Sequence, residues 1–64
     1  MSYTFDEKNN VYIIDNDLNE DDLYDTLLSV ARANGLIEAN QASESSHIMS
    51  ILTNNSVDVE FLSE

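Results

Sequence analysis

Sixty-four residues make one domain at most, and a domain this small buries only about 60% of the surface that its unfolded chain exposes. Lys8 and Arg32 are the only firm cations against 13 acids, and a net charge of −11 excludes recognition of nucleic acid or an anionic membrane through phosphate contacts. Cysteine is absent, so disulfides and thiolate metal sites are excluded, and a partner or self-association becomes the remaining source of extra stability.

The apolar fraction of 42% suits a folded domain rather than a disordered acidic tail. No apolar run approaches the ~20 residues of a membrane span. The opening MSYTFDEK lacks the basic region and apolar core of a signal peptide, so a cytoplasmic protein is expected. The NNS triplet at 54–56 then has no role as a glycosylation acceptor.

Residues 2–15 read as a β-hairpin. SYTF and VYIID are rich in aromatic and β-branched residues, and DEKNN between them is turn-forming. A two-residue turn at Asn9-Asn10 tolerates the positive φ of tight hairpins and pairs Phe5 with Ile14 and Glu7 with Tyr12. A four-residue loop is the alternative. In either case Tyr3, Phe5, Tyr12 and Ile14 share the core face, with Thr4, Asp6, Val11 and Ile13 on the other. A fully solvated second face rarely carries both Val11 and Ile13.

Residues 20–34 read as a helix. Leu23, Leu27, Val30 and Ala31 recur at three- and four-residue spacing, and Tyr24 and Leu28 widen the stripe. Asn19 is the expected N-cap, with Leu18 placed to pack on Leu23 as a hydrophobic staple. Gly35 follows Asn34 where a left-handed residue ends a helix, and Leu36 supplies the apolar contact that accompanies it.

Residues 41–53 read as a second, weaker helix, capped by Asn40 or Ser43, with Ile48, Ile51 and Leu52 as its stripe and Met49 beside them. The tail VDVEFL alternates, placing Val57, Val59 and Phe61 on one side and Asp58, Glu60 and Leu62 on the other, as in a half-buried strand. The expected fold is therefore α+β, order β-β-α-α-β: the N-terminal hairpin and a C-terminal strand form a three-stranded sheet packed on two helices.

The acid-rich stretch IDNDLNEDDLYD has the spacing of a calcium loop at Asp15, Asp17 and Asn19. That loop also needs glycine at its sixth position and a bidentate glutamate at its twelfth, where this chain has Glu20 and Thr26. Starting at Asp17 puts Asp22 and Leu28 at those positions. No metal or other cofactor is expected, beyond weak, salt-sensitive divalent binding. Helix capping explains Glu20, Asp21 and Asp22, because the helix dipole favours first-turn anions by about 0.3–1 kcal/mol each at low salt. It leaves Asp15, Asp17 and Asp25 unexplained, and Asp25 repels Asp21 across one turn.

An enzyme is not expected. His47 is the only histidine, and although Ser43 and Ser46 are near it in sequence, no third orienting group or oxyanion hole accompanies them. A phosphate loop needs more than one glycine. The charge also exceeds the magnitude of roughly 2–8 that keeps a small domain soluble.

The expected function is protein binding. Asp15, Asp17, Asp21, Asp22 and Asp25, extended by Glu38, Glu44, Asp58 and Glu60, would offer a negative surface to a basic, nucleic-acid-binding protein, as a DNA mimic does. Small acidic inhibitors of this character are typical of bacteriophages and mobile elements and act in the host cytoplasm. The alternative is an interaction module or dimeric subunit that binds through an apolar or aromatic patch, such as Tyr3, Tyr12, Tyr24, Met49 and Leu62, or Val11 and Ile13 on the second sheet face.

Overall fold

The computed structural model describes residues 2–62. Strands β1 (Tyr3–Asp6) and β2 (Val11–Ile14) are followed by helix α1 (Glu20–Ala33), a short 3-10 helix (Ile37–Gln41), helix α2 (Ser45–Asn54) and strand β3 (Asp58–Phe61). The sheet order is β1-β2-β3, with β1 antiparallel and β3 parallel to the central β2. This is the expected α+β fold in the expected order.

The hairpin keeps the predicted alternation but not the tight turn, and Phe5, expected on the core face, is exposed and lies outside the core. Phe5 pairs with Tyr12 and Tyr3 with Ile14, so Glu7–Asn10 form a four-residue loop. The reason lies in Asp6, whose carboxylate accepts from the backbone N–H of Lys8 (3.1 Å) and Asn9 (3.3 Å) and from Asn9 Nδ2 (2.8 Å). These bonds close the loop from within, and Asn10 alone takes a positive φ of 55°.

Helix α1 starts and ends as its sequence specifies. Asn19 is extended, and its Oδ1 accepts from the Asp22 N–H at 2.8 Å. At the other end Gly35 has φ +72°, with Leu36 N–H bonded to the Ala31 carbonyl and Gly35 N–H to that of Arg32. That pair of bonds is the Schellman motif. Helix α2 ends the same way: Val57 N–H bonds the Leu52 carbonyl and Ser56 N–H that of Thr53. There Ser56, not glycine, takes the left-handed position, at φ 59°.

The second helix begins later than residue 41, and neither Asn40 nor Ser43 caps it. Glu44 holds the cap position without a side-chain bond to the backbone. The physical cause is upstream. Ala39 and Ala42 are buried, and the Tyr24 hydroxyl donates to the Ala42 carbonyl, which holds that segment against α1 in an extended path. Residues 37–41 adopt the short 3-10 helix instead.

Ile14, Leu27, Val30, Ala31, Ile48 and Leu52 have no exposed surface and form the core between the sheet and the helices. Burying each large aliphatic side chain contributes about 1.5–3 kcal/mol. Tyr3, Tyr12, Leu18, Leu23, Tyr24, Leu36 and Val59 pack around it. The Ser2 and Thr26 hydroxyls bond each other, which satisfies the buried Thr26. Val11, on the opposite sheet face, is buried within the single chain at 6% exposure, while Ile13 is half-buried.

Leu27→Ala should cost about 2–5 kcal/mol in urea unfolding, because the site cannot refill itself. The two caps should respond in opposite directions. Gly35→Ala should destabilise by about 1 kcal/mol through backbone strain alone, since no atom lies within 4 Å of the added methyl. Ser56→Gly should raise the urea midpoint by relieving the same strain, by up to about 1 kcal/mol.

Candidate functional site

The Asn19 cap fixes where the first turn of α1 begins, and the turn points its acids outward. Asp21 and Asp25 lie one turn apart on an exposed face, with Tyr24 beside them. Glu20 turns towards α2, where its Oε1 accepts from the buried Ser45 hydroxyl at 2.8 Å. This bond joins the first turns of the two helices. Glu44, at the α2 cap, is anchored by Ser46, whose hydroxyl donates to its Oε1 at 2.7 Å.

These contacts create an open groove of about 680 Å³ lined by Glu20, Asp21, Tyr24, Asp25, Ser43 and Glu44. Four of its six lining residues are carboxylates, so its field is negative along its length. Tyr24 forms an aromatic wall, and its bond to the Ala42 carbonyl fixes the ring.

The two cations lie away from this groove. Arg32 is in the last turn of α1, roughly 16 Å along the helix from Asp21 at 1.5 Å per residue, and its Nε donates to Asn40 Oδ1 at 2.8 Å. Lys8 is in the β1–β2 loop. That loop is at the same end of the molecule as the α1 C-terminus, because Asn34 Nδ2 donates to the Tyr12 hydroxyl and Asn10, Asn34 and Ser56 border one small cleft. Seven acids, Asp15, Asp17, Glu20, Asp21, Asp22, Asp25 and Glu44, therefore gather at one end with no Lys or Arg among them, while Lys8 and Arg32 sit at the other, where Asp6, Glu7 and Asp58 also lie.

Of the nine residues expected to form the surface, the groove unites Asp21, Asp25 and Glu44. Asp22 is exposed in the first turn beside them, with Asp17 exposed and Asp15 half-buried on the preceding loop. The remaining three lie elsewhere. Glu38 is exposed on the 3-10 helix, Asp58 borders the small cleft at the cationic end, and Glu60 pairs with Ile13 on the outer sheet face. Capping alone explains Glu20 in the sequence, yet Glu20 is also a wall of the groove. Its one-turn spacing from Tyr24 was the available signal, but Ser45 could be placed beside it only by the tertiary fold.

Of the three residues with calcium-loop spacing, Asn19 serves as the helix cap, its Oδ1 accepting from the Asp22 N–H. Among the described residues, no group of three or more His, Cys, Asp or Glu is placed to hold a metal ion. His47 is exposed in the first turn of α2 and lines neither the groove nor the cleft. No helix among the described residues is long and apolar enough to cross a membrane.

At the opposite end, Asp6 has a carboxyl held below its ordinary range, first by the Asn9 side-chain bond and then by the Asn9 and Lys8 backbone N–H groups. A depressed folded value means that its loop contacts stabilise fully above the ordinary aspartate range and are lost as pH falls through the depressed value. Carbon-detected NMR titration should give Asp6 a midpoint below its ordinary value, and Asn9→Ala should move that midpoint upward. No family model matches the chain, and no curated protein or solved structure matches it either.

Proposed function

We propose that this chain is a small acidic inhibitor that binds a basic, nucleic-acid-binding protein and occupies the groove where that protein holds phosphate. The observation that supports the reading is a concentration of acids with no Lys or Arg among them. Seven carboxylates gather where α1 begins, away from Lys8 and Arg32, and four of them line one groove.

Folding alone does not call for this arrangement. Acids in the first helical turn stabilise α1, but Asp25 and Glu44 lie outside that turn and repel the others. Lysine or arginine placed among them would relieve the repulsion, and among the described residues this end has neither. A basic partner supplies the missing charge. Carboxylates one turn apart stand about 5–6 Å from each other, which gives a cationic groove a row of anions to engage. Such an encounter is steered by long-range attraction, fast, and weakened by salt.

On this reading the protein acts by occupation and catalyses nothing. It fits the inhibitors that bacteriophages and mobile elements direct at host nucleases, repair enzymes, restriction systems and CRISPR effectors, in the host cytoplasm.

The test is capture from cell lysate on the immobilised chain, eluted with rising salt and repeated with excess duplex DNA. The expected partner binds nucleic acid, leaves with salt and is displaced by DNA. A partner that resists both would sink the mimic and favour an apolar interface. Asp21→Asn with Asp25→Asn should weaken capture about tenfold or more and flatten its salt dependence, with the urea midpoint preserved. Unchanged affinity would remove the groove from the interface.

A further inference from the structure

The sheet has two outer strands, and they differ. In β1 the acid at the edge is already engaged, because the Asp6 carboxylate accepts three bonds from its own loop. In β3 the acids Asp58 and Glu60 are exposed, and among the described residues neither side chain makes a hydrogen bond. Two large apolar side chains are also exposed at this strand, Phe61 at 45% and Leu62 at 51%.

The backbone of β3 has an unused side. Leu62 N–H bonds to the Ile14 carbonyl at 2.8 Å. Because hydrogen-bonding direction alternates along a strand, Glu60 and Leu62 face β2, while the N–H and C=O groups of Val59 and Phe61 face outward. Among the described residues no further strand lies on that side. Open edges invite strand addition, and proteins blunt them with short strands, charges, proline or bulges; in the four-residue β3 the charges are the acids Asp58 and Glu60. The sequence DVEF has neither lysine nor proline.

We infer that the free edge of β3 receives an extended segment of a partner protein in which basic and apolar residues alternate. The side chains set this pattern. Val59 and Phe61 lie on the helix side of the sheet, and Asp58 and Glu60 on the outer side. An added strand continues the same pleat, so apolar side chains fall beside Val59 and Phe61 and cations beside Asp58 and Glu60. A second copy of this chain is the wrong occupant. It would bring acidic strands together between two molecules that each carry −11. The acids thus repel copies of the chain and select a basic strand. This contact is separate from the α1 groove and stands or falls without it.

The test uses the full chain, labelled with nitrogen-15, and two blocked synthetic peptides of roughly eight residues, the length of an ordinary strand. One alternates lysine and valine. The other has the same composition in two blocks, all lysines then all valines. The expected result is that the alternating peptide shifts the Val59 and Phe61 amides and slows their exchange with water about tenfold at ten times its Kd. The block peptide should shift only residues near the α1 acids. Phe61→Lys, at a site already half exposed, should abolish the protection while leaving the core resonances of Leu27 and Ile48 in place. Equal effects of the two peptides, or unchanged exchange at Val59 and Phe61, overturn the proposal regardless of what happens at α1.

Discussion

The fold depends on the buried stripe of α1. Leu27, Val30 and Ala31 are fully enclosed, and they lie where the sheet, through Ile14, meets α2, through Ile48 and Leu52. Once the stripe is fixed, the remaining geometry has little freedom. The Gly35 turn sends the chain back along α1, Tyr24 holds the return segment at Ala42, and α2 must then start beside the first turn of α1. The acidic groove is a by-product of this path, since it is the space left between two helix starts.

The same arrangement explains how much of the molecule could be read from its residues. Period-two alternation assigned Tyr3, Phe5, Tyr12 and Ile14 to one face, whichever hairpin loop formed. Helix α1 was legible at both ends because its cap residues act locally: Asn19 needs only Asp22, and Gly35 only its own φ. The start of α2 was not legible. It depends on a hydroxyl 18 positions away in sequence, that of Tyr24, taking the Ala42 carbonyl. The direction of β3 was equally hidden, because alternation fixes the faces of a strand and says nothing about its neighbour. The groove follows this rule. Asp21 and Asp25 were visible as a pair one turn apart, while the nearness of Glu20, Ser45 and Glu44 is purely tertiary.

Charge and packing are nearly independent in this protein. The core is aliphatic, and apart from Glu20, which bonds the buried Ser45, and Asp6, which closes the hairpin loop, the acids stand outside the packing around Ile14, Leu27 and Leu52. That independence lets one fold carry an unusually large negative charge. The cost is self-repulsion in the compact state, concentrated at the start of α1. Salt should lessen that repulsion even as it weakens any electrostatic association, so stability and binding respond to ionic strength in opposite senses.

The parallel pairing of β2 with β3 also governs how the chain reaches this state. The hairpin joins near neighbours, but Val11 meets Asp58 across 47 positions of sequence (58 − 11). Closing so long a loop has an entropic cost that no local contact offsets, and it raises the contact order of an otherwise helical domain. The position of β3 beside β2 is thus held by tertiary contacts rather than by a local turn. Four residues, Asp58–Phe61, thereby tie the far end of the chain to the strand formed near its start.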